Sequence, residues 1–200
     1  MTGIMVERIE LRDGGWLELW PQLVEDHLAW LDRLRGELSL AAERYRMFGR
    51  EVTSPRLVAW HGEPGTGYAY SGVHHEPRPL TDGLAELRAV VMEASGLSFN
   101  AVLCNLYRHG DDGMGWHRDA EPEIGPDPDD RWVASLSLGA SRRFVLKHDD
   151  DQKRWERPLG AGDLLVMRGT TQSHYRHALP KTKRATGLRL NLTFRHIVTQ

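Results

Sequence analysis

Seven residues near the C-terminus, Arg189-Leu190-Asn191-Leu192-Thr193-Phe194-Arg195, alternate polar and apolar without a break. An extended chain turns successive side chains to opposite faces, so Leu190, Leu192 and Phe194 share one side and Arg189, Asn191, Thr193 and Arg195 the other. That pattern does not fit a helix, and so apolar a strand face needs a layer to bury it. The surrounding chain repeats the theme: residues 99–107, 132–138, 143–147, 163–167 and 188–197 read as short strands separated by Gly, Pro and Asp. Many short strands argue for a sandwich or barrel and against a parallel sheet with crossover helices.

Before residue 98 the signals are helical. Residues 16–38 carry Leu23, Leu28, Leu31, Leu34 and Leu38 at partly helical spacing. A second helix is predicted from Thr81, a suitable N-cap, through Leu84, Leu87, Val91 and Met92 to Gly96. The expected fold is α+β and mainly β, one compact domain in which residues 1–98 form an N-terminal helical layer and residues 99–200 the β core. A chain of 200 residues suits a single domain.

No apolar run approaches the roughly 20 residues that span a bilayer, so no membrane partner is expected. The acidic N-terminus lacks the apolar stretch and cleavage site of a secretory signal. A single cysteine, Cys104, excludes an internal disulfide and a multi-cysteine zinc site and fits a reducing, cytoplasmic setting. Net charge is −2, so nucleic acid would have to be met by local clusters. Candidates are Arg44, Arg46, Arg50 and Arg56; Arg142, Arg143 and Lys147; and Lys181, Lys183 and Arg184.

With ten histidines in the chain, a His-x-Asp pair is weak by itself, and there are three: His109/Asp111, His117/Asp119 and His148/Asp150. Context separates them. His109 lies in a Gly/Asp turn and His148 opens an acidic connection, whereas His117 follows an extended stretch in which residues i and i+2 point the same way. An imidazole and a carboxylate placed so can take adjacent positions on a metal. A third ligand is available from Ser173-His174-Tyr175-Arg176-His177-Ala178-Leu179-Pro180, where either histidine serves. Two histidines and one carboxylate leave three open positions, the arrangement of non-haem Fe(II) oxygenases.

Arg189 and Arg195 on one strand face are suited to gripping carboxylates bidentately, as a dicarboxylate co-substrate requires. Six residues of straight strand span about 20 Å, so both arginines must reach inward. Asn105 and Tyr107 share a face of another strand and are placed to complete such a pocket, with Cys104 turned into the core.

Taken in order, Asn105-Leu106-Tyr107, His117-Arg118-Asp119, Ser135-Leu136-Ser137-Leu138-Gly139, His177-Ala178-Leu179-Pro180 and the Arg189–Arg195 strand resemble the AlkB-like Fe(II)/2-oxoglutarate dioxygenases, and most closely the branch that repairs alkylated DNA. The likeness runs over about residues 40–197. It implies a double-stranded β-helix, or jelly roll, with a nucleotide-recognition lid in the N-terminal part. It implies Fe(II) on His117, Asp119 and His177, which chooses His177 over His174. It places 2-oxoglutarate among Asn105, Tyr107, Arg189, Asn191, Thr193 and Arg195, with O₂ as oxidant and Arg195 in the catalytic set. It matches Trp60, Tyr68, Tyr70, Ser71 and Glu121 to the substrate side; the period-two spacing of Tyr68 and Tyr70 suits two rings on one flipped base. The implied activity is oxidative demethylation of 1-methyladenine and 3-methylcytosine in single- or double-stranded DNA by a monomer. The alternatives are the same chemistry on RNA, tRNA or protein, and a catalytically silent metal-binding barrel.

Overall fold

A computed structural model describes residues 5–47, 50–70, 73–125, 127, 131–151, 153–184 and 187–198. Fourteen strands and three helices follow in the order β1 (Glu7–Glu10), β2 (Gly15–Trp20), α1 (His27–Glu37), β3 (Ala41–Met47), β4 (Arg50–Gly62), β5 (Tyr68–Tyr70), β6 (Val73–His75), α2 (Asp82–Ser95), β7 (Ala101–Tyr107), β8 (Met114–His117), β9 (Val133–Gly139), β10 (Arg142–His148), β11 (Arg154–Leu159), β12 (Leu164–Gly169), α3 (Thr171–His174), β13 (Tyr175–Leu179) and β14 (Arg189–Arg195). Eight strands form the major sheet in the order β1-β2-β12-β9-β14-β7-β4-β3, and four form the minor sheet, β11-β10-β13-β8. The hairpin β5–β6 stands apart. Two facing antiparallel sheets of this kind make a jelly roll.

Strand β14 runs through the middle of the major sheet, paired on both sides with β7 and β9. Leu190, Leu192 and Phe194 are fully buried, in a core that they share with Leu31 and Leu34 of α1 and Leu84, Leu87 and Val91 of α2. The helices therefore cover the sheet's outer face. A second core lies between the sheets, where Leu17, Leu165 and Met167 meet Phe144, Leu146 and Tyr175. The polar residues of β14 face this side and are buried too, at 2–9% exposure. A strand buried on both faces but polar on one must line an interior cavity, because buried polar groups need partners.

Helix α2 begins and ends where the sequence marks it: the Thr81 hydroxyl accepts from the Leu84 N–H, and Gly96 takes the left-handed conformation (φ 68°). The N-terminal segment departs from the expected helical layer. The stretch 16–38 divides into β2 and α1, and β1–β4 supply half of the major sheet. β2 (Gly-Trp-Leu-Glu-Leu-Trp) alternates at strand period, and the helical spacing of Leu23 to Leu38 belongs to the chain after it, which holds α1.

Candidate active site

Strands β8 and β13 pair with His117 directly opposite His177, and the two rings lie 4.2 Å apart between centroids. Asp119, two residues beyond the end of β8, brings its carboxylate to the same point, Oδ2 lying 3.7 Å from His177 Nε2. The ligand atoms of the three residues all fall within 4.8 Å of one another. His117 Nδ1 lies 2.9 Å from the Gly115 carbonyl, which fixes the proton on Nδ1 and leaves Nε2 for a metal. Phe144 stacks on the His177 ring at 5.5 Å, fixing its plane.

Burial and then the neighbouring His117 push His177 down to about 3, against the pull of Asp119, so that it is neutral at physiological pH as a metal ligand must be. Burial alone would raise the Asp119 carboxyl; its cationic surroundings, the Arg195 guanidinium foremost, outweigh it and hold the group below the usual carboxylate range. Arg195 donates to Asp119 Oδ1, both side chains being almost fully buried.

The cavity beside this cluster is lined by the inner faces of β7, β9 and β14, including Asn105, Tyr107, Arg189, Asn191, Thr193 and Arg195. Its polar wall is wired so that acceptors are consumed. Asn191 Oδ1 accepts from Ser135, Ser137 and Arg189, and its amide donates to Thr193. Asn105 Oδ1 accepts from Arg56 Nε at 2.6 Å, which leaves its NH₂ as the group it offers. Arg189 Nε is buried with no partner, and burial lowers this guanidinium only to about 10, so it stays charged. Three arginines and one carboxylate line the cavity. A pocket with spare donors and excess positive charge fits a dicarboxylate.

All six sequence-chosen co-substrate residues and all three ligands thus line one cavity, Arg189 and Arg195 from opposite ends of β14. In this structure Arg195 is held by the ligand Asp119. On the substrate side, Trp60 is buried and does not line the cavity; its indole donates to the Thr66 carbonyl (3.2 Å) and its ring lies 5.9 Å from the Arg195 guanidinium. Glu121 lies in the turn closed by Ile124 N–H on its own carbonyl, also off the cavity wall. Tyr68 and Tyr70 lie on β5, but their side chains, like the whole of Ser71, fall outside the described residues.

Three contributors were not singled out from sequence as parts of the site. Arg56, grouped there with surface bases, is 5% exposed and in the cavity wall. Gln172 of α3 accepts the Asp119 backbone N–H at 2.9 Å and donates to Met167 Sδ. Phe144 reads only as a core residue. For Arg56 the one available signal was its place before the apolar run Leu57-Val58-Ala59-Trp60, which makes a buried strand; Gln172, in Thr-Thr-Gln-Ser-His, carries none.

Residues 16–195 match the model of the 2OG-Fe(II) oxygenase superfamily. The chain is 38% identical over 168 residues to mouse DNA oxidative demethylase ALKBH2, a match covering 79% of this chain and 68% of that protein. To human ALKBH2 it is 37% identical over 166 residues, covering 79% and 62%. To human alpha-ketoglutarate-dependent dioxygenase alkB homolog 3 it is 40% identical over 153 residues, covering 72% and 52%. The chain thus spans between about half and two thirds of the length of these relatives. The solved structure of OsALKBH1 shares the fold, with a TM-score of 0.67 over 95% of this chain and all of that one at 20% identity. With its ligand set and anion pocket carried on the expected strands, the chain belongs to the AlkB-like branch of the 2OG-Fe(II) oxygenase superfamily.

Proposed function

We propose that this protein is an Fe(II)- and 2-oxoglutarate-dependent dioxygenase that removes methyl groups from the ring nitrogens of alkylated DNA bases. The observation that carries the reading is the meeting, in one cavity, of the His117/Asp119/His177 set with a wall whose spare polar groups are donors. The names of the relatives, DNA oxidative demethylase among them, support DNA as substrate. Iron, 2-oxoglutarate and O₂, when bound, would supply the oxidation, one oxygen atom going into succinate, formed with CO₂, and the other into the N-methyl group as a hydroxyl; the C–N bond then breaks to release formaldehyde, the ring nitrogen keeping the bonding electron pair and the hydroxyl proton passing to solvent.

The chain's own residues do the rest. His117, Asp119 and His177 hold the metal on one side and leave the other open. Arg189, with Asn105 and Tyr107, holds the distal carboxylate of the co-substrate, and Tyr107 is itself clasped between the guanidiniums of Arg189 (5.3 Å) and Arg142 (5.9 Å). Arg195 keeps the ligand carboxylate charged and oriented. Tyr68 and Tyr70 of β5, together with Ser71, receive the base, 1-methyladenine or 3-methylcytosine; Glu121, off the cavity wall, bears on the DNA outside it, and Trp60 acts behind Arg195.

The test is formaldehyde release from oligonucleotides carrying each lesion in single-stranded DNA, duplex DNA and RNA. Wild type is expected to turn over the DNA substrates only with Fe(II) and 2-oxoglutarate, and His117→Ala or Asp119→Ala to lose at least 100-fold. Full activity in both variants would remove the iron assignment. Turnover of methylated RNA or protein alone would move the reaction to the alternative substrate class.

A further inference from the structure

The major sheet is covered by α1 and α2, whereas on the outer parity of the minor sheet a buried centre, the paired Val145 and Ala178 (1% and 4% exposed), is ringed by charged and partly exposed side chains. His177, Leu146 and Phe144 point inward, so the alternate residues of the same strands, Arg176 of β13, Lys147 and Arg143 of β10, Arg154 and Glu156 of β11 and Trp116 of β8, point out. Trp116 is 36% exposed, a large apolar side chain on a charged surface. Lys147 Nζ lies 4.7 Å from its ring centroid and the Arg154 guanidinium 5.5 Å. These two cations come from strands two and three places away from β8 in the sheet, so the cluster spans the sheet's width.

Two of the nearby acids are engaged elsewhere. Asp149 takes Arg118 and Arg176, and Asp151 faces Arg12 at 3.7 Å. Four residues back along β10, about 13 Å, Arg143 lines a groove together with Lys181 and Arg184. Glu156 stands 3.5 Å from Arg143. The face therefore carries Arg143, Lys147, Arg154, Lys181 and Arg184, with Arg176 balanced by Asp149, against Glu156 and the Asp150 and Asp151 of the adjoining connection. This excess sits on a chain whose net charge is −2.

We propose that this face, from Trp116 with Lys147 and Arg154 to the groove of Arg143, Lys181 and Arg184, carries the flanking strand of the DNA whose base enters the cavity. Cations interleaved with an exposed aromatic are the surface that a single strand uses, phosphates on the cations and a base on the ring. The patch begins at β8, the edge strand of the minor sheet that also carries His117, with the Trp116 ring on the other side of that strand from the imidazole. The proposal rests on the demethylase reading and adds to it where the substrate runs outside the site.

The experiment compares a methylated trinucleotide, too short to leave the cavity mouth, with a methylated 15-mer, using Lys147→Glu/Arg154→Glu in the full chain. The double variant is expected to keep kcat and KM on the trinucleotide within twofold of wild type, which also reports that it is folded. Its KM on the 15-mer should rise about tenfold or more. The slope of log affinity for a labelled, unmethylated 15-mer against log salt should flatten by about 1.4 units, the loss of two phosphate contacts at roughly 0.7 each. Trp116→Ala should weaken binding of the same labelled strand several-fold. A 15-mer KM within twofold of wild type, or an equal rise on both substrates, overturns the proposal. Failure of wild type to turn over either oligonucleotide overturns the demethylase reading instead; the binding measurement then still tests the surface on its own.

Discussion

At the scale of single residues, the site depends on side chains that touch neither iron nor co-substrate. Gln172 holds the backbone N–H of Asp119. Removing a group that orients a ligand typically lowers metal affinity 10–100-fold, and Gln172→Leu is expected to do so in an anaerobic Fe(II) titration while unfolding stays cooperative. His61 makes a different prediction. It is buried, its Nδ1 lies 2.7 Å from the Pro79 carbonyl, and its Nε2 has no partner. Burial lowers its pKa despite that bond, with Arg78 adding to the effect. A histidine whose folded pKa lies below its unfolded value of about 6.5 binds its proton more readily when unfolded, so stability is lost as pH falls through that value. Urea denaturation of the metal-free protein from pH 8 to 5 is expected to show this fall, His177 contributing in the same sense, and His61→Gln to make it shallower without abolishing it. Neither residue announced itself in the sequence. Gln172 sits among small polar residues, and a lone histidine says nothing of the carbonyl that it meets.

At the scale of elements, β14 was the most legible, because its alternation states both of its environments. Its two faces predict opposite outcomes. Phe194→Ala removes a fully buried ring and is expected to cost about 3–5 kcal/mol in chemical denaturation, with 2-oxoglutarate affinity changed only in proportion to the folded fraction. Arg189→Met removes a buried charge; thermal unfolding is expected to shift little or upward, while 2-oxoglutarate affinity by calorimetry falls tenfold or more. Helix α2 was equally legible through Thr81 and Gly96, whose chemistry is local. Strand β4 was not. Pro55 lies inside it, and proline argues against an interior strand. The pairing with β3 steps from Ala42↔Leu57 to Arg44↔Thr53, so Ser54, Pro55 and Arg56 stand opposite Glu43 in a bulge. The bulge both admits the proline and re-aims Arg56 into the cavity, a long-range consequence that composition does not carry.

At the scale of the whole molecule, the two sheets divide the work. The major sheet supplies the anion pocket and the minor sheet two of the metal ligands, so co-substrate and metal together tie the layers. Saturating the protein with Mn(II) at about 100 times its dissociation constant is expected to stabilise it by roughly 2.7 kcal/mol, or a rise of about 5–10 °C in Tm, with 2-oxoglutarate at the same multiple adding a similar increment and excess EDTA reversing both. A sandwich or barrel was legible in the short, punctuated strands after residue 98, and its jelly-roll form through the family resemblance. What escaped were the two edges of the major sheet: β1 and β2, where β2 pairs with β12 more than a hundred residues later, and β3 and β4, where β4 pairs with β7. Pairing over that separation leaves no local mark.

The contact between Arg195 and Asp119 has a consequence for how the molecule folds. Arg195 holds Oδ1, while Oδ2 is the atom turned to His177 Nε2 at 3.7 Å. The buried carboxylate thus has its counter-ion within the chain's own side chains, so burying Asp119 during folding needs no added cation, and one carboxylate divides two duties between its two oxygens.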